Sequence, residues 1–320
     1  MKRKTKKKIY ALTRLTLTLI FIALIIYLIV LGINTFTKNK EDKNEEKEPV
    51  KQQEETKKEE QEIVEEKYTK KEKEKLEKLN YVNEKVTYFK WENVDRYIAY
   101  KEKNKNLSNE KIVLYVNIGI DNDFYTNTVS TPDPHSTKVL VNKYYKVESN
   151  YVPKNLKYVD SKYSSSSVQM TEEASNAFNE LAKDAKKEGY TILAMSTYRS
   201  YSRQKTIYNN YLNSENGDVA KVDTYSARAG HSEHHTGLAV DVKNDTKAYT
   251  KFGETKEFEW MKENAHKYGY ILRYTAENQF ITGYKNEPWH YRYVGIEIAT
   301  QMKKENISSY EEYYFMYLDK

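Results

Sequence analysis

Residues 231–242 read HSEHHTGLAVDV. Three of the chain's six histidines fall in its first five positions, and Asp241 stands seven residues after His234. The second half, GLAVDV at 237–242, is a short apolar run opened by glycine. It reads as a buried strand carrying one acid. Upstream, TILAMSTY (191–198) reads as another strand and 201–213 as a helix. Thr171 opens an earlier helix, with Glu172 and Glu173 in the first turn, where the helix dipole favours acids. Ala174, Phe178, Leu181, Ala182 and Ala185 give it one apolar face, and Lys186, Lys187 and Gly189 close it. Downstream, Phe258, Met261, Ala265 and Tyr268 mark a further helix face ended by Gly269. Ser309 with Glu312 forms a capping pair for a last short helix. IVLYVNIGI (112–120) and KVLVNKYYKV (138–147) read as strands, separated by a polar loop with Pro132 and Pro134. Strands and helices mix without regular alternation, and no glycine fingerprint follows a strand. The expected class is α+β.

The chain has 320 residues, a length suited to one or two domains, and 38% hydrophobic residues, low for a wholly globular chain. It has no cysteine, which excludes disulfide scaffolds, iron–sulfur clusters, Cys-ligated zinc and thiol nucleophiles. The net charge of +6 is unevenly spread. Residues 1–14 carry seven basic groups and no acid, and 38–78 carry 13 basic against 15 acidic groups. Residues 79–320 are left near neutral, so no basic face is implied and no nucleic-acid partner is expected.

The composition divides the chain. Residues 1–14 form a basic tail. Residues 15–37 carry no charge, and the apolar heart LTLTLIFIALIIYLIVLGI (15–33) has the length of a membrane-spanning helix. The rival reading, a cleaved signal peptide, suits it less well. The run exceeds the usual 7–15 residues, and GINTFTKNK after it offers no small-residue cleavage site. An uncleaved single-pass anchor is expected, with the tail in the cytoplasm and everything from residue 38 outside the cell membrane. Residues 38–80 read as a charged linker, a solvated coil or in part a Lys/Glu helix. Residues 81–150 read as an N-terminal elaboration of the extracellular part, and 151–320 as its chemical domain.

Without cysteine, any metal must sit on His, Asp and Glu. A zinc site that does chemistry needs three protein donors and one open position, with a nearby group to take a proton. His234, Asp241 and His290 could supply the donors, and Glu287, three residues before His290, the proton acceptor. HxxxxxxD alone is a weak signal. His135 and His266 read as unrelated to it, and His231 and His235, which flank the candidate donor His234, as residues that either support the donors from behind or lie exposed.

Three segments together resemble a known family. Ser232-Glu-His234-His-Thr-Gly237-Leu-Ala239-Val-Asp241 fits the SxHxxGxAxD signature of the LAS zinc peptidases, and Glu287-Pro-Trp-His290 fits their ExxH. Ser196-Thr-Tyr198-Arg199-Ser-Tyr-Ser-Arg-Gln204 and the stretch from Trp289 to Gly295 are similar to VanY-type D-alanyl-D-alanine carboxypeptidases. The resemblance covers roughly residues 138–300. It implies a small antiparallel sheet with flanking helices around a zinc cleft. It also implies one zinc on His234, Asp241 and His290, Glu287 as general base, and Arg199 stabilising the oxyanion. Ser232, Gln204, Tyr198 and Trp289 are then the expected substrate contacts. Ser232 could alternatively serve as a turn hydroxyl, and Gly237 is expected to allow close backbone packing. Two positions depart from the family pattern: Arg228-Ala229-Gly230 replaces the frequent RPG, which would loosen that loop, and His235 replaces a frequent glutamine.

The implied activity is removal of the C-terminal D-alanine from peptidoglycan stem peptides ending in D-Ala-D-Ala, by a peptidase held at the membrane through residues 15–33. Two rivals remain open: an L,D-carboxypeptidase or wall endopeptidase of the same fold, and a non-catalytic wall-binding module. A pure binder needs neither Glu287 nor Arg199.

Overall fold

The computed structural model describes residues 68–319. The tail 1–14, the expected span at 15–37 and the spacer as far as residue 67 lie outside them. Among the described residues no helix is long and apolar enough to cross a membrane. The first element is a helix, Lys70–Lys78, and the compact unit begins within it at Lys75. Leu76 and Leu79 are fully buried, so this unit starts a few residues before the expected 81.

The segment 112–120 is not a strand. Asn109–Ile118 is a helix, opened by the Ser108 hydroxyl accepting from the Lys111 N–H and closed by Gly119 at φ 103°. Its β-branched residues suggest a strand, but both flanks carry helix-ending chemistry. Every residue from Ile112 to Ile118 is buried, and a short continuous apolar run does not by itself separate strand from buried helix. One side, with Ile112, Val113 and Val116, joins Leu79, Val82, Val94 and Tyr97, the last two on helix Val94–Lys103. The other, with Leu114, Tyr115 and Ile118, packs with Tyr310, Tyr313 and Phe315 from the C-terminal end. The N-terminal elaboration therefore shares a core with the last helix.

The run 138–147 is also mostly not strand. Val139, Leu140 and Val141 are buried, but the Asn142 side chain accepts from the N–H groups of Tyr144 and Tyr145, both at 2.9 Å, and turns the chain. What remains is a two-residue parallel pairing of β1 (Val129–Ser130) with β2 (Tyr145–Lys146). β3 (Leu156–Tyr158) and β4 (Gln169–Thr171) form a small antiparallel pair leading into helix Glu172–Lys187. All five expected core residues of that helix are buried.

The central sheet has four antiparallel strands: β5 (Leu193–Ser196), β6 (Ala239–Lys243), β7 (Tyr270–Leu272) and β8 (His290–Tyr293), in the order β5-β6-β8-β7. Side chains alternate between its faces. Val240, Val242, Tyr291 and Tyr293 enter the main core with Phe178 and Leu181 of the covering helix. Tyr270 packs edge-on to Phe178 and donates its hydroxyl to the Ala174 carbonyl at 2.6 Å. Ala239, Asp241, His290 and Arg292 thereby take the opposite face. The expected helix at 258–268 runs from Lys256 to Asn264 and tightens to a 3₁₀ turn, Ala265–Tyr268. Gly269 ends it at φ 81°, where a Cβ would lie 2.7 Å from the Tyr293 ring. The Ser309 hydroxyl accepts from the Glu312 N–H at 3.1 Å and caps the short helix Tyr310–Tyr313, as its sequence predicts.

Candidate active site

Asp241 on β6 and His290 on β8 are register partners, and on the other side Asp241 pairs with Ser196 of β5 after a local irregularity in that strand. His234 comes from the 3₁₀ turn Glu233–Thr236, immediately before β6. Gly237 ends that turn at φ 68°, and a Cβ there would meet Leu156 and the Thr171 nitrogen at 3.2 Å. The close packing expected of this glycine is what lets the turn lie against β3 and β4.

His234, Asp241 and His290 are all buried, and one donor atom from each falls within 4.8 Å of the others. His234 Nδ1 is bonded to the Thr197 carbonyl at 2.6 Å. Its Nε2 is buried, has no hydrogen-bond partner among the described residues, and lies 3.3 Å from Asp241 Oδ2. His290 Nδ1 lies 2.9 Å from Asp241 Oδ1. An orphaned imidazole nitrogen facing a carboxylate and a second imidazole fits a divalent ion of borderline softness, zinc above all. Burial, reinforced by the Arg199 charge, pulls His234 down to about 4, so it stays neutral as a donor must. Burial opposes ionisation of Asp241, but the two imidazoles outweigh it and hold its carboxyl well below the usual range.

Glu287 lines the same cleft, its Oε2 3.9 Å from His290 Nδ1, and burial pushes its carboxyl up to about 7. Arg199 follows β5, with one terminal nitrogen 3.6 Å from Asp241 Oδ2 and its Nε buried without a partner among the described residues. The cleft is open, with a volume of about 580 Å³.

The expected substrate contacts divide. Ser232 and Trp289 line the cleft. Ser232 precedes the 3₁₀ turn, but its hydroxyl does not cap it, so the turn-hydroxyl alternative is not what the geometry shows. Trp289 stands edge-on to Tyr249 at 5.2 Å. Gln204 also lines the cleft, but both ends of its amide are engaged: Nε2 donates to the Ala227 carbonyl at 2.7 Å, and Oε1 accepts from Arg199 at 2.8 Å. It orients the arginine rather than offering free hydrogen bonds. Tyr198 is not in the cleft wall; its N–H bonds the Gln169 carbonyl.

His231 and His235 are buried rather than exposed, and both serve the backbone. His231 Nδ1 bonds the Asn142 carbonyl at 2.8 Å. His235 Nδ1 bonds the Arg199 carbonyl at 2.7 Å, while its Nε2 accepts from the Gly230 N–H at 3.0 Å. The departure from the frequent glutamine thus ties the arginine's backbone to the preceding loop. That loop is not loose. Arg228 pairs with Asp223 at 2.7 Å and lies over the Tyr125 ring, and the Gly230 carbonyl accepts from the Val147 N–H.

Sequence reasoning gave no role to Glu233. It is fully enclosed, with Oε1 accepting from Arg273 at 2.8 Å and from Arg292 at 3.0 Å, and Oε2 3.2 Å from His290 Nε2. Burial opposes its charge, but the two guanidinium groups win and hold its carboxyl far below the ordinary value. The available signal was two arginines set among apolar strand residues, Arg273 after YIL and Arg292 within HYRYV; a buried arginine needs an acid.

The family model described as VanY, D-alanyl-D-alanine carboxypeptidase, matches residues 167–296, which include all three donor residues, Glu287 and Arg199. The putative carboxypeptidase YodJ of Bacillus subtilis is 39% identical over 189 residues, 57% of this chain and 68% of that protein. The bifunctional D-Ala-D-Ala dipeptidase and D-Ala-D-Ala carboxypeptidase VanXYC of Enterococcus gallinarum is 30% identical over 56% of this chain and 95% of its own. Among solved structures, that of the LdcB LD-carboxypeptidase superposes with a TM-score of 0.55 at 35% identity, covering 61% of this chain and 94% of that one. The α+β scaffold with its cleft is therefore of the carboxypeptidase class. Within that class, the chain belongs to the VanY family of D-alanyl-D-alanine carboxypeptidases.

Proposed function

We propose that this protein is a membrane-anchored, extracellular zinc metallopeptidase that removes the C-terminal D-alanine from peptidoglycan stem peptides ending in D-Ala-D-Ala. The observation that carries the proposal is the convergence of His234, Asp241 and His290 beside Glu287 and Arg199 at the floor of one open cleft. His234 Nε2, Asp241 and His290 Nδ1 would hold the ion. When bound, zinc would supply Lewis-acid polarisation of water and of the scissile carbonyl. Glu287 is placed to take the proton from the attacking water on its carboxylate and later hand it to the leaving amine. The Arg199 guanidinium, held by Gln204, presents a fixed cation where negative charge develops on the carbonyl oxygen. Family membership supports the reaction class, and the uncharged run at 15–33 supports the anchor.

A second reading has its own support. The likeness to the LdcB LD-carboxypeptidase favours cleavage of an L,D bond as the alternative within the same scaffold. The deciding experiment incubates the purified full-length protein and zinc with stem tetrapeptides and pentapeptides and identifies the released amino acid. Release of D-alanine from the pentapeptide alone supports the D,D assignment; release from the tetrapeptide alone replaces it with the L,D one.

A further inference from the structure

Glu233, Arg273, Arg292 and Glu311 form a charge cluster whose side chains are all fully buried. Glu311, on the C-terminal helix, receives both terminal nitrogens of Arg273, at 2.6 and 2.9 Å. Asn142 Nδ2 adds a third donor to Glu311 at 3.2 Å. Arg273 passes its Nε to Glu233 at 2.8 Å, and Glu233 turns its other oxygen to His290 Nε2 at 3.2 Å. Arg292 bonds Glu233 and reaches the Val139 carbonyl at 2.7 Å. Several separate stretches of chain are thus linked, through Glu233, to one ring nitrogen.

Such a cluster is an expensive way to gain stability. Burying ion pairs costs desolvation that their attraction barely repays, and apolar replacements often do as well. Its arrangement suits another purpose. Two acids and two arginines balance among themselves: Glu233 is already paired with both guanidinium groups, and its remaining oxygen faces His290 Nε2 at 3.2 Å, where it can accept an N–H. A proton fixed on Nε2 leaves Nδ1 as a lone-pair donor, and Nδ1 is the nitrogen that faces Asp241. Asn142 and Glu311 lie outside residues 167–296, the span matched by the family model, so the brace reaches beyond that matched core.

We propose that the Glu311–Arg273–Glu233 chain is the positioning device of the metal site: it holds His290 by Nε2 so that Nδ1 is presented to the ion, and so makes the C-terminal helix part of the site. The inference rests on reading His234, Asp241 and His290 as zinc ligands. It also says how substitution should act. In Glu233→Gln the amide oxygen stays with the arginines, which need an acceptor, and its NH₂ turns to His290. Nε2 must then accept, which drives the proton onto Nδ1, where it competes with the metal.

The test uses the full-length protein, with zinc affinity measured by chelator competition and His290 examined by ¹⁵N NMR of its imidazole. The zinc-loaded wild type should show a protonated Nε2 and a metal-bound Nδ1. Glu233→Gln should weaken zinc binding by about 10–100-fold, and Glu311→Gln should weaken it less, in the same direction. A merely structural role would lower the melting temperature of the metal-free variants while leaving the zinc affinity of the folded fraction unchanged, and that result would overturn the proposal. Zinc found on His290 Nε2 in the wild type would overturn it even if Glu233→Gln failed to fold. A wild type that binds no zinc would instead remove the metal site itself, and the brace with it.

Discussion

His290 and Asp241 face one another across neighbouring antiparallel strands, paired in register, with Nδ1 2.9 Å from Oδ1. Two of the three proposed ligands are therefore set by strand register and not by loop conformation. A slip of one residue in either strand would send its ligand to the opposite face. Removing either should abolish the site without disturbing the core behind it, which is built from the alternate residues Val240, Val242 and Tyr291. The wild type is expected to bind about one zinc per chain; Asp241→Ala is expected to fold, to bind none at this site, and to show no rise in melting temperature when zinc is added. Elemental analysis and thermal melts check this. Full zinc occupancy in the variant would show that the ion sits elsewhere.

Glu287 separates chemistry from metal binding. It lies in the cleft 3.9 Å from His290 Nδ1, but the three-donor cluster closes without it. Glu287→Ala should keep zinc and lose turnover by about 10²–10⁴-fold, the usual range for a general acid–base group. Loss of zinc together with activity would make it a ligand instead.

Arg199 depends on Gln204 and His235 for its placement, through its guanidinium and its carbonyl respectively. Arg199→Lys should reduce kcat by about 10²–10³-fold, because an ammonium cannot reproduce the planar donor fork at a developing oxyanion. Gln204→Leu should fall in the same parameter to a smaller degree, with KM little changed. A rise in KM alone would restore Gln204 to a direct substrate contact.

The meeting of His234, Asp241 and His290 was legible because two short motifs carry them, one running from a turn into β6 and the other opening β8. The helix at 172–187 was legible for a similar reason, since its apolar residues from Ala174 to Ala185 follow one period over about three turns. The segments at 112–120 and 138–147 were misread because apolar, β-branched composition there reflects burial on several sides and not strand pairing. Ser108, Gly119 and Asn142 held the truth about those segments, through capping and turn chemistry. The brace behind His290 was illegible because its members stand up to 169 positions apart, as Asn142 and Glu311 do. Only the closed fold shows that the charges cancel.

Phe178 tests the other side of the sheet. It is fully buried on the inner side of helix 172–187, edge-on to Tyr270, against the face of the sheet away from the cleft. Phe178→Ala should cost about 3–5 kcal/mol of folding stability, measured by denaturant unfolding. Zinc affinity of the folded fraction should stay near that of the wild type. A cost below 1 kcal/mol would mean that the helix does not brace the sheet as its packing indicates.

The proposed anchor would set where this chemistry takes place. Residues 15–33 have the length and apolarity of a membrane span, with seven basic groups on the N-terminal side. The substrate proposed for the cleft lies outside the membrane. A charge-rich spacer of about 40 residues separates the span from the compact unit, whose first buried side chains are Leu76 and Leu79. As a coil such a spacer would let the catalytic unit search tens of Å from its anchor. Full-length protein is therefore expected to fractionate with membranes and to resist extraction by salt and alkali. Added protease should release an active fragment whose N-terminus falls between 38 and about 75, because cleavage beyond Leu76 would cut into packed structure. A mature N-terminus near residue 34 in the culture medium would show a secreted enzyme with a cleaved signal, and the tethered search would have to be abandoned.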